Sequence, residues 1–131
     1  MEDRKAVSSP LLGEQIVKIT HESGLTVHIS KKNYQAAYAV FGTRYGSLEN
    51  SFEVDGERVN VPHGIAHFLE HKMFESEDGS DAFEKFSEHG ADANAFTSFD
   101  RTAYIFSCTE NFYSSLEALL EMVTTPHFTE Q

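Results

Sequence analysis

The strongest constraint on this chain is a change of period along it. Phe112, Leu116, Leu119, Leu120 and Val123 recur at helical spacing, and Pro126 ends the stretch. Upstream of it, short β-branched runs alternate with turn residues instead. Ile16–Thr20 and Leu25–Ile29 are two such runs around His21-Glu22-Ser23-Gly24, which suggests a hairpin. A chain that mixes strand-like and helix-like segments in this way is expected to be an α+β protein, with a mainly antiparallel sheet flanked by helices.

The remaining segments extend that expectation. Tyr34 to Tyr45 reads as a longer strand rich in Tyr, Val and Phe, ended by Gly46 and Ser47. Residues 48–61 are mostly polar, carry an Asp55-Gly56 turn signal and read as a loop. Pro62 is expected to open a helix, where a missing N–H costs least. Ser80-Asp81 can cap a second, short helix bearing Phe83 and Phe86 and stopped by Gly90. Strands are expected over Ala93–Phe99 and Thr102–Cys108. Residues 1–13, polar and carrying Pro10 and Gly13, read as a flexible N-terminal arm ahead of one domain over 14–131.

Composition narrows the function classes. Twenty-one acidic residues against ten basic ones give 131 residues a formal net charge of −11. Such a surface repels phosphate backbones and anionic headgroups, so neither nucleic acid nor a membrane is an expected partner. The single Cys108 can form neither an intrachain disulfide nor a cysteine zinc cluster. No signal-peptide pattern follows the N-terminus, and the longest apolar run, Ala36–Phe41, is too short to span a bilayer. A soluble, cytoplasmic protein is expected.

The chemistry concentrates in Pro62-His63-Gly64-Ile65-Ala66-His67-Phe68-Leu69-Glu70-His71. A helix turns about 100° per residue, so His67, Glu70 and His71 cluster on one side. Ile65, Phe68, Leu69 and Met73 then fall roughly opposite, free to bury against a sheet. Two imidazoles one turn apart form a bidentate clamp suited to zinc, and a neighbouring carboxylate can serve as a general base. The same pattern also suits a solvated helix face bearing histidines. His63 could extend the histidine row, although at a helix start it reads more simply as a capping or solvated residue.

The His67-x-x-Glu70-His71 pattern matches the inverted zinc signature of the pitrilysin/insulinase family of zinc peptidases, the inverzincins. More than the motif agrees. Gly64–Phe74 resembles that family's active-site helix throughout, and Tyr38–Ser47 is similar to the strand before it. His89–Ser98 resembles the family's substrate-binding strand, and Arg101–Tyr104 the strand that follows. The similarity runs from about Gly24 to Thr129 and is closest to bacterial, YmfH-like members.

The resemblance implies a zinc-dependent metalloendopeptidase acting on peptides, with one Zn2+ per complete site. His67 and His71 would be metal ligands, and Glu70 the base that activates the metal-bound water. Asn94, Ala95 and Phe96 would lie on an edge strand that pairs with the substrate backbone. Without the resemblance, Phe96 reads as a core aromatic and Asn94 as a turn residue. The family's third ligand is a glutamate on a later helix, beyond Gln131, and its members enclose a chamber with two related halves. This chain therefore reads as an incomplete first half-domain, poorly active alone, completed by a missing C-terminal half or a homologous partner subunit. Nothing in the spacing of Asp92, Glu110, Glu117 or Glu121 marks one of them as a substitute ligand.

Two other functions fit the same residues. One is a non-catalytic interaction subunit of a paired peptidase, although inactive partners generally lose the motif. The other is a small metal-binding module in which His63, His67 and His71 line one helix. The acidic run Glu75, Glu77, Asp78, Asp81, Glu84, Glu88 and Asp92 would favour basic peptides if it faced the cleft, and is otherwise a solvated stretch.

Overall fold

A computed structural model describes residues 3–128, which divide into two compact units at Tyr34/Gln35. In the first unit, β1 (Asp3–Ser9), β2 (Glu14–Thr20) and β3 (Thr26–Ser30) form an antiparallel sheet in the order β1-β2-β3. The expected hairpin is β2–β3, with Val17 opposite Ile29 and Ile19 opposite Val27. The flexible-arm reading of residues 1–13 does not hold for its described part. Asp3–Ser9 pairs along its whole length with β2, from Asp3 opposite Thr20 to Ser9 opposite Glu14. A polar strand is invisible to apolar alternation, but backbone pairing asks nothing of its side chains. Met1 and Glu2 lie outside the described residues, as do the last three residues of the expected 14–131 domain.

The second unit is α+β. Its sheet has the order β4-β8-β7, where β4 is Ala37–Thr43, β7 Asp92–Thr97 and β8 Thr102–Cys108, both pairs antiparallel. Central β8 is apolar at nearly every position because it has a neighbour on each side. Ala103, Tyr104, Phe106 and Cys108 are buried along it. Register places Ala39, Phe106 and Ala93 in one row and Phe41, Tyr104 and Ala95 in the next. These rows pack with core side chains of two helices, α2 (Ala82–Glu88) and α3 (Phe112–Thr124), and with Met73 and Phe74 just after α1 (Ile65–Lys72). Phe86 and Phe112 meet Phe106 with ring centroids 6.0 and 5.6 Å away, and Phe74 lies 6.0 Å from Tyr104.

Two local expectations are corrected. The loop over 48–61 contains a hairpin, β5 (Ser51–Val54) and β6 (Glu57–Asn60), closed by Asp55-Gly56 with φ of 52° and 82°. Those positive angles form the two-residue turn whose twist suits a hairpin, so the turn signal was right and its flanks were strands. Helix α1 begins at Ile65 rather than Pro62, because Gly64 at φ 88° stands in the left-handed region as its N-cap. In α3 the buried stripe is Ser115, Ala118, Leu119 and Met122, while Leu120 is exposed. Ser115 is tolerated there because its hydroxyl donates to the Asn111 carbonyl at 3.0 Å.

Helix α2 matches its expected start and stop. Asp81 accepts from the Phe83 N–H at 2.9 Å as N-cap, and Gly90 follows at φ 72°. The loop after β4 is held against the β7–β8 turn: Ser47 N–H donates to Ser98 O, and Leu48 N–H to Phe99 O. Gly46 makes that approach feasible, since a Cβ there would lie 2.5 Å from the Arg101 nitrogen. Among the described residues, no helix is long and apolar enough to cross a membrane.

Candidate metal and peptide-binding site

Helix α1 does not divide as its sequence suggests. Its buried face runs through Ala66 and Glu70 and continues to Phe74 just beyond its end, a spacing of four. Phe68, expected inside, is 56% exposed. Glu70 is only 8% exposed, so it is turned toward the sheet while His67 and His71 face outward beside it. The packing of α1 against β7 and β8 selects this orientation, because the small Ala66 allows close approach there.

A buried carboxylate needs a partner. Glu70 Oε2 accepts a hydrogen bond of 2.6 Å from Thr97 Oγ1 on β7, the length expected when a hydroxyl donates to a charged oxygen. Beneath it, Tyr104 has its phenol pushed up to about 12 by burial and, secondarily, by the negative charge of Glu70.

His67 and His71 approach at Nε2, 3.0 Å apart, with ring centroids separated by 4.8 Å. One neutral ring can donate to the other in this arrangement. Two imidazole nitrogens on one tetrahedral zinc, each bonded at about 2.05 Å, would stand about 3.3 Å apart. The pair therefore fits two positions of such a site with only a slight spreading. Among the described residues, no group of three or more His, Cys, Asp and Glu is assembled to hold a metal.

Both histidines and Glu70 line a cleft of about 670 Å³ together with Asn94, Ala95, Phe96 and Thr97 of β7. Strand β7 has β8 on one side only, so its other edge is open within the sheet. Asn94 and Phe96 are exposed on it, and Asn94 Oδ1 accepts from the Ala95 N–H at 2.8 Å. The structure thus gathers all six sequence-derived site residues at one cleft. Phe74 and Phe83 add an apolar wall, stacked at 4.3 Å with an interplanar angle of 1°.

Other candidates fall elsewhere. His63 does not line the cleft; its Nδ1 accepts from Asn50 Nδ2 at 3.1 Å. Glu75, Glu77, Asp78 and Glu121 line a separate cavity of about 380 Å³ with Lys85 and His127, away from the histidine pair. Glu121 there faces Lys85 at 3.6 Å. The motif pattern gave Thr97, Phe74 and Phe83 no role of their own at the site. For Thr97 a signal existed, since it shares the inward phase of Ala93 and Ala95 at the end of the proposed substrate strand.

Known proteins resemble this chain in sequence and fold. The chain is 50% identical over 130 residues to the uncharacterized zinc protease YmfH of Bacillus subtilis, covering 97% of this chain and 30% of that protein. It is 38% identical over 68 residues to the insulin-degrading enzyme-like 2 protein of Arabidopsis thaliana, covering 48% of this chain and 7% of that one. A crystal structure of an M16-like peptidase from Alicyclobacillus acidocaldarius superimposes with a TM-score of 0.84 at 39% identity, over 95% of this chain and 29% of that one. Pitrilysin shares the fold, with a TM-score of 0.69 at 21% identity, over 92% of this chain and 13% of its own. The chain thus spans less than a third of each of these proteins. Residues 56–131, which include α1 and β7, match the family described as insulinase, peptidase family M16. With that match added to the shared fold, the chain belongs to the insulinase family, peptidase family M16.

Proposed function

We propose that this chain carries part of the active site of a zinc-dependent endopeptidase. The observation that supports it most is the convergence of the His67–His71 pair, Glu70 and the open edge of β7 on one cleft. His67 and His71 would hold zinc through Nε2. The chemistry a bound zinc supplies is acidification of water and polarisation of a peptide carbonyl. Glu70 takes the proton from the attacking water and passes it to the leaving amine. Asn94, Ala95 and Phe96 receive the peptide as an added strand, which grips the backbone without fixing a sequence. For that to occur at Ala95, the Asn94 side chain gives up the backbone N–H it now holds.

Two ligands alone would hold zinc weakly. We assign completion of the site to further chain or to a homologous partner subunit, with cytoplasmic peptides as substrates. The metal-module alternative gains nothing from His63, which is engaged by Asn50.

Glu70→Gln is the discriminating variant, assayed in the longest chain that carries this sequence. Peptide hydrolysis is expected to fall by about 10³-fold or more, with zinc content unchanged. His67→Ala should lose zinc, and His63→Ala should retain it. Undiminished cleavage by Glu70→Gln would remove the catalytic assignment.

A further inference from the structure

We infer that Thr97 is a positioning residue that ties the peptide-binding strand to the general base. The inference rests on the proposed role of Glu70. Thr97 Oγ1 on β7 donates to Glu70 Oε2 on α1 at 2.6 Å, joining elements 27 residues apart in the chain. Among the described residues this is the one hydrogen bond to that carboxylate. It occupies Oε2 and leaves Oε1 as the oxygen that accepts the proton.

The threonine end of the bond is stiff. Threonine is β-branched, with restricted χ1 freedom in a strand. Its backbone is held where β7 turns into β8: Thr97 stands opposite Thr102, and Ser98 N–H donates to Arg101 O at 2.8 Å. Thr102 in turn donates through Oγ1 to Tyr45 O at 2.8 Å, anchoring that end of the sheet to the loop after β4. A glutamate otherwise has several torsions to order, and the Thr97 hydroxyl selects one arrangement in advance.

The placement of Thr97 has a functional corollary. It directly follows Phe96 on the strand proposed to take the substrate, so a peptide seated on β7 and the hydroxyl that holds the base belong to one strand. A peptide docked on that edge is held in a fixed relation to Oε1. The hydroxyl therefore acts on the chemical step, with little effect on binding of the peptide or the metal.

The test has two arms. In this chain, labelled with ¹³C at the glutamate carboxyl carbons, Thr97→Val should shift the Glu70 resonance, identified by its absence in Glu70→Gln. Thr97→Ser should restore it, with the other glutamate resonances unmoved. In the longest active chain carrying the sequence, Thr97→Val should lower kcat about 10- to 100-fold, the worth of a hydrogen bond to a charged group, with KM and zinc content unchanged. Thr97→Ser should recover most of that loss. An unshifted Glu70 resonance in Thr97→Val, or a fall in thermal stability with kcat intact, would overturn the assignment. The two readings fail separately: a cleaving Glu70→Gln removes the base itself, whereas an inactive Glu70→Gln beside a fully active Thr97→Val removes only Thr97.

Discussion

The two units use the same strand chemistry and reach opposite degrees of burial. No residue from 3 to 34 is buried, although Ile16, Val17, Ile19, Val27 and Ile29 give β2 and β3 clear β propensity. In the second unit, β8 and the helices packed against its sheet have side chains that are fully enclosed, among them Phe106 on β8, Phe86 on α2 and Leu119 on α3. Strand propensity produced a sheet in both. Only in the second do helices of the same unit supply an apolar face for the sheet to bury against. Pairing alone gives a three-stranded sheet marginal stability, whereas a shared core adds apolar burial, the main driving force of folding.

The sharpest way to break this contrast is to empty the core of the second unit. Phe106→Ala should cost about 3–5 kcal/mol in urea unfolding followed by circular dichroism. A loss below about 1 kcal/mol would mean that β8 is not the centre of the core.

The next effect is set by pH. Tyr104 ionises at about 12 in the fold, against about 10 unfolded. The stability this contributes is fully present below pH 10 and is lost as pH rises toward 12, because the unfolded chain ionises first. Wild type should therefore lose about 2–3 kcal/mol across that window that Tyr104→Phe does not lose. Urea midpoints measured at several alkaline pH values compare the two slopes, and parallel slopes would contradict the burial of this phenol.

The smallest effect belongs to the first unit. Val7 on β1 is 68% exposed, and Val7→Ser should change stability by no more than about 0.5 kcal/mol. Hydrogen exchange of β2 amides reads this directly, and those amides should exchange faster than those of β8 in wild type. A large destabilisation by Val7→Ser would show that the first unit has a core of its own.

Much of this organisation was legible in the residues. Asp81 and Gly90 bracket α2 because their side-chain and backbone chemistry acts locally. The β2–β3 hairpin and the Asp55-Gly56 turn were readable for the same reason. Strand β1 was missed because its polar composition carries no period, and its partner β2 decides that it is a strand. The period of α3 was legible, but its buried stripe includes Ser115 and leaves Leu120 exposed, since burial depends on which side meets the sheet and not only on hydrophobicity.

The site divides along the same line. The spacing of His67, Glu70 and His71 dictates, by helix geometry alone, that the two imidazoles stand one turn apart, within reach of the observed Nε2 approach of 3.0 Å. That spacing says nothing about what Glu70 meets. Its burial, its bond to Thr97 and the placement of β7 along the cleft come from packing α1 on a sheet whose strands are far apart in the chain. Local chemistry is determined by the order of the residues, because its interactions span a few positions. The setting of the base was decided by tertiary structure, because it depends on a contact between residues 27 positions apart that no local periodicity encodes.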